Sequence, residues 1–168
     1  LNMCGIGLVN KDDKHAPQII KAANCELYTY SEESKEADFV ASDIRYVSQP
    51  DFVGTEFHIS GKYDMEVRLG IPGLFNVVNA LAAVSVCSFL NLDKERIRHA
   101  LEHIRVNGRM EIVYTSARCT VLVDYAHNAV SMASLLSTLR DYKPKRLVCV
   151  FGCGGNRSKD RRYSMGEI

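Results

Sequence analysis

Between Leu74 and Leu90 the sequence runs LFNVVNALAAVSVCSFL, and this stretch constrains the fold more than any other. It is rich in Ala, Leu and Val, and polar mainly at Asn76 and Asn79. A helix with so little polar surface has to be largely buried. Ser85 and Ser88 interrupt its longest apolar run, Ala80 to Leu90, which falls well short of the roughly 20 apolar residues a membrane span needs. The helix is therefore expected to lie inside a protein core, and the elements around it must supply the cover.

Those elements read as an α/β chain. Just upstream, Glu56–Ser60 and Tyr63–Leu69 alternate apolar and polar residues, with Gly61-Lys62 between them, which predicts two strands and a tight hairpin. Met3–Val9, Glu26–Tyr30 and Phe39–Val47 read as further strands, and Ala16–Ala23 as a helix. Asp93 is placed to cap a second helix carrying Ile97, Leu101 and Ile104 on one face. After Asn107-Gly108 the pattern changes. Glu111–Tyr114 and Thr120–Asp124 read as strands joined by a turn, Ser131 as the cap of a helix, and Arg146–Phe151 as an apolar strand of the parallel-sheet kind. The expected fold class is α/β, with a small hairpin region in the first part and a β-α-β unit from Thr120 to Gly155 at the end.

Charge changes with the pattern. Residues 1–107 carry 11 Lys and Arg against 15 Asp and Glu, a net of −4, whereas residues 108–168 carry 10 against 5, a net of +5. Two domains, 1–107 and 108–168, are expected, the second being the one that tolerates anions. The overall charge of +1 argues against a nucleic-acid partner, and no segment points to a membrane. The six cysteines contain no C-x-x-C pair and read as reduced thiols of a cytoplasmic protein. His99 and His103 share a helical face without further spaced ligands, and Asp12-Asp13 reads as an exposed turn, so no metal site is expected.

The chemistry is expected where strands end. In an open α/β sheet, ligands bind at the carboxyl ends of the strands. Asp124-Tyr-Ala-His127 follows one strand and Gly152-Cys-Gly-Gly-Asn-Arg157 the next, with one helical crossover between them. Asp124, His127, the backbone of Gly152, Gly154 and Gly155, and the side chains of Asn156, Arg157 and Lys159 would then converge on one crevice. Such a set suits ribose hydroxyls and phosphate oxygens. The loop is neither a P-loop nor a G-x-G-x-x-G turn. Asn76 and Asn79, at i and i+3, can either read an adenine edge or bond local backbone. Arg109 can bind a phosphate or pair with a carboxylate.

Five segments in order resemble the ATP-dependent Mur ligases of bacterial cell-wall synthesis. They are Val9–Asp13, Gly73-Leu-Phe-Asn-Val-Val-Asn-Ala80, Gly108-Arg-Met-Glu111, Val123-Asp-Tyr-Ala-His127 and Phe151-Gly-Cys-Gly-Gly-Asn-Arg157. The last two look most like the branch that adds the third amino acid, L-Lys or meso-diaminopimelate, to UDP-MurNAc-L-Ala-D-Glu. The resemblance implies the end of a central ATPase-type α/β domain followed by part of a Rossmann-like domain, ATP and Mg2+ as cofactors, an acyl phosphate intermediate, and UDP-MurNAc-dipeptide and an amino acid as substrates. It implies nucleotide contacts for Asn76, Asn79, Arg109, Asp124 and His127, and a phosphate or substrate role for the loop from Gly152 to Lys159. It places the P-loop, the magnesium ligands and the modified lysine before Leu1, so that the chain alone would be an inactive fragment with no catalytic residue of its own. Two motifs depart from the family: Asn156-Arg-Ser-Lys159 stands where Asp-Arg-Asp-Lys is usual, and Asn128-Ala129 where Thr-Pro is usual. Cyanophycin synthetase and folylpolyglutamate synthase carry similar Ala-His-Asn motifs, but Gly152-Cys-Gly-Gly155 argues against both. A non-catalytic nucleotide-binding module is the alternative of a different class.

Overall fold

A computed structural model describes residues 5–49, 51–154 and 159–168. The chain divides into two compact units. The first takes the described residues up to Val47 together with Gly54–Ile104, and the second takes Ser48–Val53 and Arg105–Ile168.

The first unit is built on a five-stranded sheet with its strands in chain order: β1 (Ile6–Asn10), β2 (Glu26–Ser31), β3 (Phe39–Ser48), β4 (Val53–Gly61) and β5 (Met65–Leu69). Helix α1 (Ala16–Ala22) makes the crossover between β1 and β2, which run parallel. β2 and β3 are parallel over only two residue pairs, Tyr30↔Phe39 and Ser31↔Val40. Asp43 has φ of 54° in the middle of β3, a left-handed break in an otherwise extended strand. β4 and β5 form the antiparallel hairpin that the alternation predicts, with Phe57↔Val67 and Ile59↔Met65 in register.

Period-two patterning decides which face is core. Thr55, Phe57 and Ile59 of β4 and Met65, Val67 and Leu69 of β5 are all buried. They pack with Phe39 and Ala41 of β3 against α2 (Leu74–Phe89) and α3 (Lys94–His103). α2 contributes Val77, Ala80, Leu81 and Val84, and α3 contributes Ile97 and Leu101. Burying each large apolar side chain fully is worth about 1.5–3 kcal/mol. Near the end of α2, the Phe89 ring meets Tyr28 of β2 at 4.7 Å and Phe39 of β3 at 5.7 Å. Ser85 is fully buried and donates to the Leu81 carbonyl at 2.7 Å, so its hydroxyl is satisfied within its own helix. Asp93 caps α3 as expected, accepting from the Arg96 amide at 3.0 Å.

Three local expectations are corrected. α2 buries one stripe rather than most of its surface: Phe75 and Val86 remain 43% and 48% exposed. The hairpin turn is longer than Gly61-Lys62, because Ile59↔Met65 is the last pair and Ser60–Asp64 lie between. A longer turn is needed because it docks on Asp38: the Lys62 amide donates to the Asp38 carbonyl at 2.8 Å. Asp12 is more than an exposed turn residue. Its carboxylate accepts from the Ser31 hydroxyl and, at 3.0 Å, from the Glu32 amide, stitching the end of β1 to the end of β2.

In the second unit β6 (Glu111–Thr115) and β7 (Thr120–Val123) pair antiparallel, and α4 (Ala129–Asp141) and α5 (Lys159–Gly166) follow. Its small core gathers Met132, Leu136 and Met165, with Ala129, Leu135 and Cys153 against them. Asn128, not Ser131, caps α4: the Asn128 side chain accepts from the Ser131 amide at 2.9 Å. Asn128 is the last extended residue before the helix, where a short polar side chain reaches back to the third helical amide. Residues 146–151 form no strand. An apolar parallel strand needs ladder partners on its edges and helices over both faces. β6 and β7 are each other's partners, and Val148 and Val150 stay 65% and 94% exposed.

Candidate functional site

The densest cluster of expected site residues lies at the open end of the β6–β7 hairpin. It follows from strand register. Glu111↔Val123 and Ile112↔Leu122 are paired. One step outward sets Met110 opposite Asp124, and the next sets Arg109 opposite Tyr125. The turn leading into β6 is tight: the Arg109 amide donates to the Val106 carbonyl at 3.0 Å, and the Gly108 amide to Glu111 Oε2 at 2.6 Å. Gly108 and Met110 have φ of 68° and 47°. For Met110 that left-handed conformation costs on the order of 1–2 kcal/mol, so something must hold it.

Asp124 does so. Its Oδ2 accepts from the Met110 amide and its Oδ1 from the Ala126 amide, both at 2.8 Å. The first bond ties Asp124 across the hairpin and the second shapes its own loop. Met110 itself is buried, which adds an apolar anchor to the same point.

Next to Asp124 in the chain and across the hairpin, three exposed side chains neighbour one another. The Arg109 guanidinium lies 4.8 Å from the centroid of the Tyr125 ring. The Tyr125 and His127 rings are 5.1 Å apart. His127 Nδ1 lies 3.1 Å from the Tyr125 carbonyl, so that nitrogen carries the proton and Nε2 is left as an acceptor. Arg109, Tyr125 and His127 are all exposed. Arg109 makes no ion pair among the described residues. The cluster thus presents a cation, an imidazole acceptor and an aromatic ring to solvent, and the guanidinium is the group among them that suits an anion.

The other expected site residues are placed as follows. Gly152 and Gly154 are exposed, and among the described residues neither bonds to Asp124 or His127. Gly152 has open space where a Cβ would sit. Gly155, Asn156 and Arg157 lie outside the described residues, and of Lys159 only its place at the start of α5 is described. In the first unit, Asn76 Nδ2 donates to the Pro72 carbonyl at 2.7 Å, so one of its amide hydrogens is used at its own helix start. Asn79 is exposed and has no side-chain partner among the described residues.

Tyr125 escaped the sequence reading, although a signal for it was present. Pairing the two strands antiparallel through the Ser116–Cys119 turn sets residue 109 opposite residue 125. Among the described residues no group of three His, Cys, Asp or Glu side chains is placed to hold a metal ion. No helix among them is long and apolar enough to cross a membrane.

Comparison with known proteins adds a pattern across both units. Residues 1–87 match the Mur ligase middle domain, and residues 108–168 match the family described as Mur ligase, glutamate ligase domain. The chain is 37% identical over 165 residues to UDP-N-acetylmuramoyl-L-alanyl-D-glutamate–2,6-diaminopimelate ligase 2 of Clostridium acetobutylicum, a match covering 98% of this chain and 33% of that protein. It is 37% identical over 171 residues to the corresponding ligase of Alkaliphilus oremlandii, covering 99% of this chain and 34% of that one. The chain spans about a third of the length of these relatives. A solved structure of a ligase with the same diaminopimelate-adding name superposes with a TM-score of 0.71 at 28% identity, over 96% of this chain and 34% of that one. Folylpolyglutamate synthase of Thermotoga maritima shares the fold alone, with a TM-score of 0.64 at 19% identity, over 79% of this chain and 31% of that one.

Proposed function

The chain belongs to the Mur ligase family, and from that premise we propose that it serves an ATP-dependent amide ligase that joins diaminopimelate to UDP-MurNAc-L-Ala-D-Glu. The observation that carries this reading is the 37% identity to diaminopimelate-adding ligases, sustained over 98% of the chain and through both units. Residues 1–107 are read as the later part of the central ATP-binding domain, and residues 108–168 as the start of the C-terminal domain. The enzyme would work in the cytoplasm, where its nucleotide-linked substrate is made, with Mg2+ accompanying ATP.

The roles follow from chemistry. Asn79, with no side-chain partner among the described residues, is the better candidate of the two asparagines for an adenine edge, since Asn76 already donates to Pro72. Arg109 is the exposed partner for phosphate oxygens, His127 Nε2 is an acceptor for a nucleotide hydroxyl, and the segment from Gly152 to Lys159 would add backbone amides and the cations Arg157 and Lys159. Each Asp124 oxygen takes one backbone amide and keeps capacity for one more donor, such as a ribose hydroxyl. These groups bind and orient. Phosphoryl transfer depends on positioning and on cations around the transferring group, and the 168 residues alone supply too few. They should fall short of the full ligase by on the order of 10³-fold or more.

The test incubates the full-length gene product, and separately the 168-residue chain, with Mg-ATP, UDP-MurNAc-L-Ala-D-Glu and either diaminopimelate or lysine, and measures phosphate release. The expected result is amino-acid-dependent turnover by the full-length product with diaminopimelate and none by the short chain. A full-length product that releases phosphate only with lysine overturns the choice of amino acid. One that never turns over ATP overturns the ligase.

A further inference from the structure

Arg109 is an exposed arginine whose guanidinium lies over the Tyr125 ring, and strand register puts the two together. Continuing the pairing of Glu111 with Val123 outward by two residues brings position 109 opposite position 125. Asp124 fixes the intermediate step by accepting from the Met110 amide on one strand and the Ala126 amide on its own loop, both at 2.8 Å. The two residues it ties down are the chain neighbours of Arg109 and Tyr125. His127 also neighbours the ring, with its Nδ1 bonded to the Tyr125 carbonyl and its ring 5.1 Å from that of Tyr125.

The mode of contact matters. A carboxylate partner would occupy the guanidinium N–H groups. The Tyr125 ring instead engages the cation through its π face, 4.8 Å from the guanidinium carbon. Among the described residues no acceptor takes the side-chain N–H groups of Arg109, which keep their planar fork, the geometry that matches phosphate oxygens. An unsupported arginine on an exposed turn would sample many rotamers and would have to be ordered when an anion binds.

We propose that Tyr125 is a positioning residue: its ring holds the Arg109 guanidinium ready for the polyphosphate of a nucleoside triphosphate, without contacting the nucleotide itself. This rests on the ligase reading given above, and it assigns a role to a residue that neither the motif reading nor the donor set alone identifies.

The test is a double-mutant cycle in the full-length gene product, read as KM for ATP and kcat. Tyr125→Phe keeps the ring and retains the wild-type KM. Tyr125→Leu removes the ring and raises KM for ATP by about two- to five-fold, the range for an exposed cation–π contact, with kcat unchanged. Arg109→Gln raises KM at least as far. In the Arg109→Gln background, Tyr125→Leu produces no further rise. A Tyr125→Leu enzyme with wild-type KM overturns the proposal, as does one that loses kcat with KM unchanged. An equal rise in KM with Arg109 already removed also overturns it, because the ring would then be acting on the nucleotide directly. A wild-type product that never consumes ATP takes down the ligase reading, and the proposal with it.

Discussion

Replacing Asp124 should open the end of the β6–β7 hairpin in a way that separates its two bonds. The carboxylate accepts from the Met110 and Ala126 amides, each at 2.8 Å. Hydrogen bonds to a charged group contribute about 1.5–3 kcal/mol each. Asp124 is only half-buried, so the lower end applies. The left-handed strain of Met110, on the order of 1–2 kcal/mol, then loses the bond that opposes it. Asp124→Ala removes both acceptors, and amide hydrogen exchange at Met110 and Ala126 should accelerate by about ten-fold, the equivalent of 1.4 kcal/mol in the local opening equilibrium. Asp124→Asn keeps a single acceptor oxygen. The contact to Ala126 is local, two residues along the chain, and needs no alignment across the hairpin. It should survive, so that Ala126 stays protected while Met110 exchanges about ten-fold faster. The assay is exchange followed residue by residue on the folded protein, which does not depend on cooperative unfolding of two units. Unchanged protection of Met110 in Asp124→Ala would refute the staple, and equal loss at both amides in Asp124→Asn would refute the argument from locality.

Two further outcomes concern the first unit. Gly61 has φ of 96°, and a Cβ there would lie 2.3 Å from the Asp38 carbonyl oxygen, so Gly61→Ala should destabilise by about 3 kcal/mol, read from a lower urea midpoint. Glu32 titrates above the usual carboxyl value of 4.5 because burial, then Asp12 and Glu33, disfavour its charge; ionised Glu32 therefore costs stability above its raised pKa, and that cost disappears as pH falls below 4.5. Glu32→Gln should accordingly be the more stable protein at neutral pH, with its advantage vanishing in acid, as thermal melts across that range would record.

The sequence determined the local elements, because the signals behind them are local. Alternation along Glu56–Ser60 and Tyr63–Leu69 specified two strands and which side chains enter the core, and the structure buries Phe57, Ile59, Met65, Val67 and Leu69 accordingly. Asp93 announced a helix start through its own side chain. The Mur ligase motifs were legible for the same reason: each is a short string of residues. Pairing was the part that tertiary structure decided. Nothing within Arg146–Phe151 reveals whether partners exist for it, and an apolar run without them forms no strand. Nothing within Gly108–Glu111 or Asp124–His127 alone reveals that they meet, since their contact is a property of antiparallel register between two strands. Asn76 is the contrasting case: of the two readings its type and spacing allowed, its Nδ2 takes the local one and donates to the Pro72 carbonyl four residues back. Hydrogen bonds between residues close in sequence can be read from composition and spacing. The Arg109–Tyr125 pair, sixteen residues apart, exists only once the chain has folded back on itself.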